Sequence, residues 1–124
     1  MKTFKRTLTI LFAAILIIAG INHFINFRIY SPFIPDWMPL LLTNILVGIV
    51  EVILGAGLLF EKYRKPAATG VVMLMIMFLP LHFIDVFKSH PAIGSITLAI
   101  IRLPVQFVLI YWAWYISKPG NQRS

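Results

Sequence analysis

Glu51 and Arg102 carry the chemistry that most needs explaining, because each is an ionisable residue inside a long apolar run. A charge at mid-depth in a membrane helix costs about 2.5–3.5 kcal/mol on insertion scales, so such residues are usually paired, inward-facing and functional. Counted inward from Pro39, Glu51 lies roughly 18 Å deep at 1.5 Å per residue, and counted from Pro91, Arg102 lies about 16 Å deep. The depths match and the two segments enter from the same side, so the spacing predicts that Glu51 and Arg102 pair, directly or through water. Such a pair has two readings. It locks two helices together as a neutralised ion pair, or it lines a site where a polar ligand or a proton is handled.

Spacing extends this constellation. Asn44, Gly48, Glu51 and Gly55 fall at i, i+4, i+7 and i+11, one stripe of a helix, with glycines that let a neighbour approach closely. Ser95, Ala99, Arg102 and Gln106 make the matching stripe, with Pro104 placed to kink it. His23 and His82 lie roughly 8 Å below their helix ends by the same rise. Their surroundings resemble each other, His23-Phe24-Ile25-Asn26 and His82-Phe83-Ile84-Asp85, a pattern open to reading as a parallel two-hairpin repeat or as chance. Asp85 is spaced to orient His82. Two histidines and a carboxylate suit a metal chemically, but the spacing is not a metal-binding pattern, and no metal is expected. Three prolines between Tyr30 and Pro39 stiffen a loop that either caps the polar residues or anchors at the interface.

The elements that position these residues follow from composition. The chain is 60% hydrophobic and 12% charged, with mean hydropathy +0.90, against roughly 25% charge in soluble domains. It cannot cover a water-facing surface, which excludes a soluble globular or disordered protein. Cysteine is absent, so disulfides, thiolate catalysis and iron–sulfur clusters are excluded. About 20 apolar residues span a bilayer, and four runs qualify, at approximately 7–27, 38–60, 66–86 and 93–117. The expected fold is all-α: an integral membrane four-helix bundle in a single domain, with lipid as its first partner. The start, Met1 to Gly20, also resembles a signal peptide, but the apolar run continues beyond any cleavage site.

The net charge of +7 is clustered between the runs rather than spread on a basic face, which argues against nucleic acid. Lys2, Lys5, Arg6, Lys62, Arg64, Lys65, Lys118 and Arg123 fall on one side, Arg28 and Lys88 on the other. That bias predicts cytoplasmic N- and C-termini in a multi-pass protein of the cytoplasmic membrane. Trp112, Trp114, Tyr111 and Tyr115 then form the inner aromatic belt, with Tyr30 and Trp37 at the outer interface.

Gly20-x-x-His23-Phe24, the loop ending Trp37-Met38-Pro39, Gly48-x-x-Glu51-x-x-x-Gly55-x-Gly57-Leu58-Leu59, Arg64, Ala68-x-Gly70 and Pro80 together resemble the DoxX-like family of small four-helix bacterial membrane proteins. The likeness covers most of residues 20 to 86. Asp85 and Arg102 lie outside it, and His82 stands where the family often has a short amide residue. The resemblance implies a ligand-binding bundle, since some members are associated with quinone-linked redox complexes. It does not by itself establish an enzyme, leaving open an accessory oxidoreductase subunit, and the sequence holds no self-contained catalytic motif.

The leading expectation is an accessory subunit of a membrane redox complex that binds a quinone or a lipid through His23, Glu51, His82, Arg102, Asn44 and Gln106, in a cavity near the outer face. A small proton-coupled transporter, which would need a homo-oligomer for room, and a structural partner of another membrane protein are the alternatives.

Overall fold

A computed structural model describes residues 3–118. Among them are four α-helices, α1 (Thr3–Ile25), α2 (Leu40–Leu59), α3 (Glu61–Asp85) and α4 (Ile96–Ser117), two short 3₁₀ turns at Phe27–Ile29 and Ser31–Phe33, and no strand. Each of the four is long and apolar enough to cross a membrane. Large apolar side chains such as Ile18, Ile53, Met77 and Phe107 stay exposed on every helix, as contact with lipid rather than water requires.

Two helix starts differ from expectation. α1 begins at Thr3, so Lys5 and Arg6 are helical, and Lys5 is buried rather than free at a membrane surface. Its Nζ donates to the Lys118 carbonyl at 2.6 Å, which satisfies an orphan carbonyl beyond the end of α4. The basic segment at 61–65 is the first turn of α3, not a loop. A single extended residue, Phe60, joins α2 to α3, and Arg64 makes so tight a joint stable. Its Nε donates to the Leu58 carbonyl at 2.8 Å, at the unpaired C-terminal end of α2.

Packing follows small residues. α1 lies antiparallel along α2, and their backbones approach so closely that a Cβ on Gly20 would sit 2.7 Å from the Gly48 carbonyl oxygen. α3 packs extensively along α4, α2 meets α3, and α1 only touches α4. The molecule is thus two antiparallel hairpins side by side.

Its interior has two halves. At the end holding the termini, Phe12, Leu16, Leu58, Ala68, Val71, Ala113 and Ile116 form a continuous apolar core. Trp112 closes it, with its ring 4.7 Å from Phe12 and its Nε1 donating to the Leu8 carbonyl at 3.2 Å. At the opposite end, where the α1–α2 and α3–α4 loops lie, the buried residues include His23, Asn44, Glu51, Asp85 and Gln106. Asp85 builds the second loop. Its carboxylate accepts from the Ala92 and Ile93 amides, while Gly94 supplies a left-handed φ of +123°. Ser95 then caps α4 by accepting from the Leu98 amide at 3.1 Å. Lys88 ties the two loops together, its Nζ donating to the Pro32 carbonyl at 3.3 Å.

Candidate functional site

The acid and the base expected to face each other belong to different hairpins and have different neighbours. Glu51 pairs with His23: Nε2 lies 3.2 Å from Oε1, at ion-pair distance though not aligned as a regular hydrogen bond. Among the described residues no ion pair joins Glu51 to Arg102. The correction has a simple cause. Every Cα–Cβ bond tilts toward its helix N-terminus, so side chains on antiparallel neighbours lean toward one another. The Glu51 side chain on α2 leans to the loop end and His23 on α1 leans away from it, which closes a depth difference that counting residues left open.

Asn44 completes the first cluster. Its Oδ1 lies 3.0 Å from His23 Nδ1, and its Nδ2 donates to the Leu40 carbonyl at 3.0 Å. Asn44 is fully buried and Glu51 is 5% exposed, so α2 presents its stripe to α1. Over the histidine lies Tyr30, from the turn after α1, its ring stacked at 3.7 Å and 19°. Asn22 Nδ2 donates to the Tyr30 hydroxyl at 2.8 Å, and the exposed Asn26 donates to Asn22 Oδ1 at 2.6 Å. Sequence reading left the loop from Tyr30 to Pro39 open between capping the polar residues and anchoring at the interface; that Tyr30 itself stacks on His23 depends on how the turn folds back.

The second hairpin repeats the pattern with other chemistry. His82 on α3 meets Phe33 of the same loop edge to face at 5.5 Å, and the charges of Arg102 and Asp85 both reach it. The loop therefore covers both histidines with aromatic rings. Asp85 does not orient His82 by a hydrogen bond; it is committed to the loop amides. On α4, Gln106 is fully buried, and its Nε2 donates to the Met75 carbonyl at 2.6 Å while its Oε1 has no partner. One turn away, Nη1 of Arg102 is buried and also without a partner. A buried donor and a buried acceptor are thus left unsatisfied on one face of one helix, where each costs about 1–3 kcal/mol.

A cavity of about 300 Å³ opens at this end. Its walls are Pro32, Phe33, Ile34, Pro35 and Asp36 of the loop with Leu81, Ile84 and Lys88 of the second hairpin. None of the six expected site residues lines this groove, and Phe33, one of its walls, also meets the His82 ring. Among the described residues no group of three or more His, Asp or Glu side chains is arranged to hold a metal ion.

Comparison with known proteins gives one positive finding. A family model described as "Domain of unknown function (DUF8561)" matches residues 12–117, the whole of the bundle apart from the first two turns of α1. No curated protein and no solved structure matches the chain. The match carries no link to the DoxX-like proteins.

Proposed function

The chain therefore belongs to the DUF8561 family, and from that premise we propose that it is a membrane-embedded binder of the polar head of a lipid-soluble molecule, a quinone or a lipid. One observation carries the reading: Arg102 Nη1 and Gln106 Oε1 are buried without partners one turn apart. Buried polar groups are nearly always hydrogen-bonded, and a membrane interior supplies little water to do it. A head with a carbonyl or phosphoryl oxygen to accept from Arg102, and a hydroxyl to donate to Gln106, which a quinone carries in its reduced quinol form, meets both needs. The head enters from the lipid, and the apolar tail remains between the helices.

Three finer features belong to the same proposal. The protein sits in a cytoplasmic membrane with both termini inside, supported by the Lys/Arg bias. It serves as an accessory subunit of a redox complex, supported by the resemblance of residues 20 to 86 to DoxX-like proteins. Any reaction takes place in that complex, a reading supported by the lack of a self-contained catalytic motif in the sequence.

The test is a binding titration in lipid nanodiscs with a short-chain ubiquinol analogue kept reduced, and in parallel with phospholipids of defined head group. Arg102→Met and Gln106→Leu should each weaken binding of the same ligand at least about tenfold, the loss of one buried hydrogen bond to a charged or amide group. Binding of every ligand unchanged in both variants refutes the site.

A further inference from the structure

The first hairpin holds a determinate hydrogen-bond chain, and it fixes where protons must be. Leu40 offers a carbonyl, which only accepts, so Asn44 turns its amide nitrogen toward it, 3.0 Å away. Asn44 Oδ1 then faces His23 Nδ1 at 3.0 Å. An amide oxygen also only accepts, so Nδ1 carries a hydrogen and donates. A neutral imidazole has one N–H. Once Nδ1 holds it, Nε2 is a bare lone pair, and it lies 3.2 Å from Glu51 Oε1. A lone pair against a carboxylate oxygen is repulsive, and an unpaired buried carboxylate is costly. One additional proton between Nε2 and Oε1 removes both problems.

We propose that the His23–Glu51 pair is a binding site for a single exchangeable proton, fixed in place by Asn44 and covered by Tyr30. With the proton on Oε1 the pair is neutral acid and neutral imidazole; with it on Nε2 the pair is carboxylate and imidazolium. Either way the sum of charges is zero. Release to water leaves a carboxylate beside a neutral ring and a net charge of −1, so the site binds or gives up one proton and one unit of charge together.

The surroundings isolate this site. Glu51 is the charged group acting on His23, and the other titratable group against the ring is Tyr30. On the elements packed against the hairpin, the ionisable groups at the same end are His82 and Asp85 on α3 and Arg102 on α4. Asp85 is committed to loop amides and Arg102 acts on His82. The route outward runs past Tyr30, whose hydroxyl is latched by Asn22 and through it reaches the exposed Asn26. Lifting one aromatic ring uncovers the histidine. The inference uses α1, α2 and their loop alone, so it stands or falls independently of the head-group site on α4.

The test is nitrogen NMR of histidine-labelled protein in nanodiscs, with His82→Gln and His90→Gln leaving His23 as the sole histidine. The expected spectrum shows a hydrogen on Nδ1 and an Nε2 that carries or accepts the shared proton. Glu51→Gln should keep the hydrogen on Nδ1 and shift Nε2 to the position of a bare nitrogen in a neutral ring. Tyr30→Ala should speed exchange of the shared proton with water. A wild-type spectrum with the hydrogen on Nε2 and Nδ1 bare overturns the proposal, as does an Nε2 signal that ignores Glu51→Gln. The wild-type tautomer decides even where that substitution prevents folding.

Discussion

Replacing Gly20 with alanine tests whether close approach of α1 and α2 is what assembles the first polar cluster. The added Cβ would lie 2.7 Å from the Gly48 carbonyl oxygen, 2.7 Å from Val52 Cγ2 and 3.0 Å from the Val52 amide nitrogen. Two of these three neighbours are backbone atoms, which no rotamer change can move, so α2 itself must shift away. Overpacking of this kind costs about 1–3 kcal/mol, and with backbone on two sides the upper part of that range applies. Alanine's better helix propensity returns about 1 kcal/mol, leaving a net loss of about 1–2 kcal/mol. Gly70→Ala is the matched control. There the tight neighbour is Leu54 Cδ2 at 2.8 Å, with the next atom at 3.7 Å, and the tip of a leucine can rotate aside. Gly70→Ala should therefore be neutral or slightly stabilising. Reversible unfolding in mixed micelles measures both, and the His23 ring signal reports whether its contacts to Asn44 and Glu51 have stretched. Equal stability of the two variants, or a Gly20→Ala protein with an unmoved His23 signal, refutes the argument.

Three further outcomes follow from the same geometry. Arg102→Met should raise the unfolding free energy of the ligand-free protein by about 1–3 kcal/mol, because it removes a buried donor that has no partner; a drop in stability in the same unfolding assay contradicts that accounting. Asp85→Ala should destabilise by about 2–4 kcal/mol, since it strands the Ala92 and Ile93 amides together. Asp85→Asn, which keeps one acceptor, should lose about half as much, and hydrogen exchange at the two amides should rise in the same order. Trp112→Phe keeps the ring against Phe12 but removes the hydrogen bond to the Leu8 carbonyl, so thermal unfolding should show a loss of about 1 kcal/mol.

Four membrane-length helices were legible in the sequence because the bilayer dictates length and composition directly. The inward stripe of α2 was legible too, since helical periodicity sets which residues share a face, and Asn44, Gly48, Glu51 and Gly55 are all buried. The partner of Glu51 was not. Residue counting gives the depth of a Cα but not the lean of a side chain or which helices are neighbours, and with α1 packed along α2 the nearest base is His23. Lys5 shows the same limit: as a charge it counted toward orientation, yet it ends buried at the foot of α4. That the loop from Tyr30 to Pro39 caps polar residues was one of two readings open from the sequence; which ring meets which histidine was not, because it depends on two 3₁₀ turns, whose path prolines suggest but do not determine.

In the proposed function, Arg102 and Gln106 are held for a molecule that enters from the lipid. The most direct measurement is mass spectrometry of whatever small amphiphile co-purifies with wild-type protein and with the Arg102→Met, Gln106→Leu double variant, both extracted under the same mild conditions. A near-stoichiometric amphiphile with a carbonyl or phosphoryl head, present in the wild type and lost from the folded double variant, is the predicted result. Equal retention by both proteins, or no bound amphiphile in either, contradicts it.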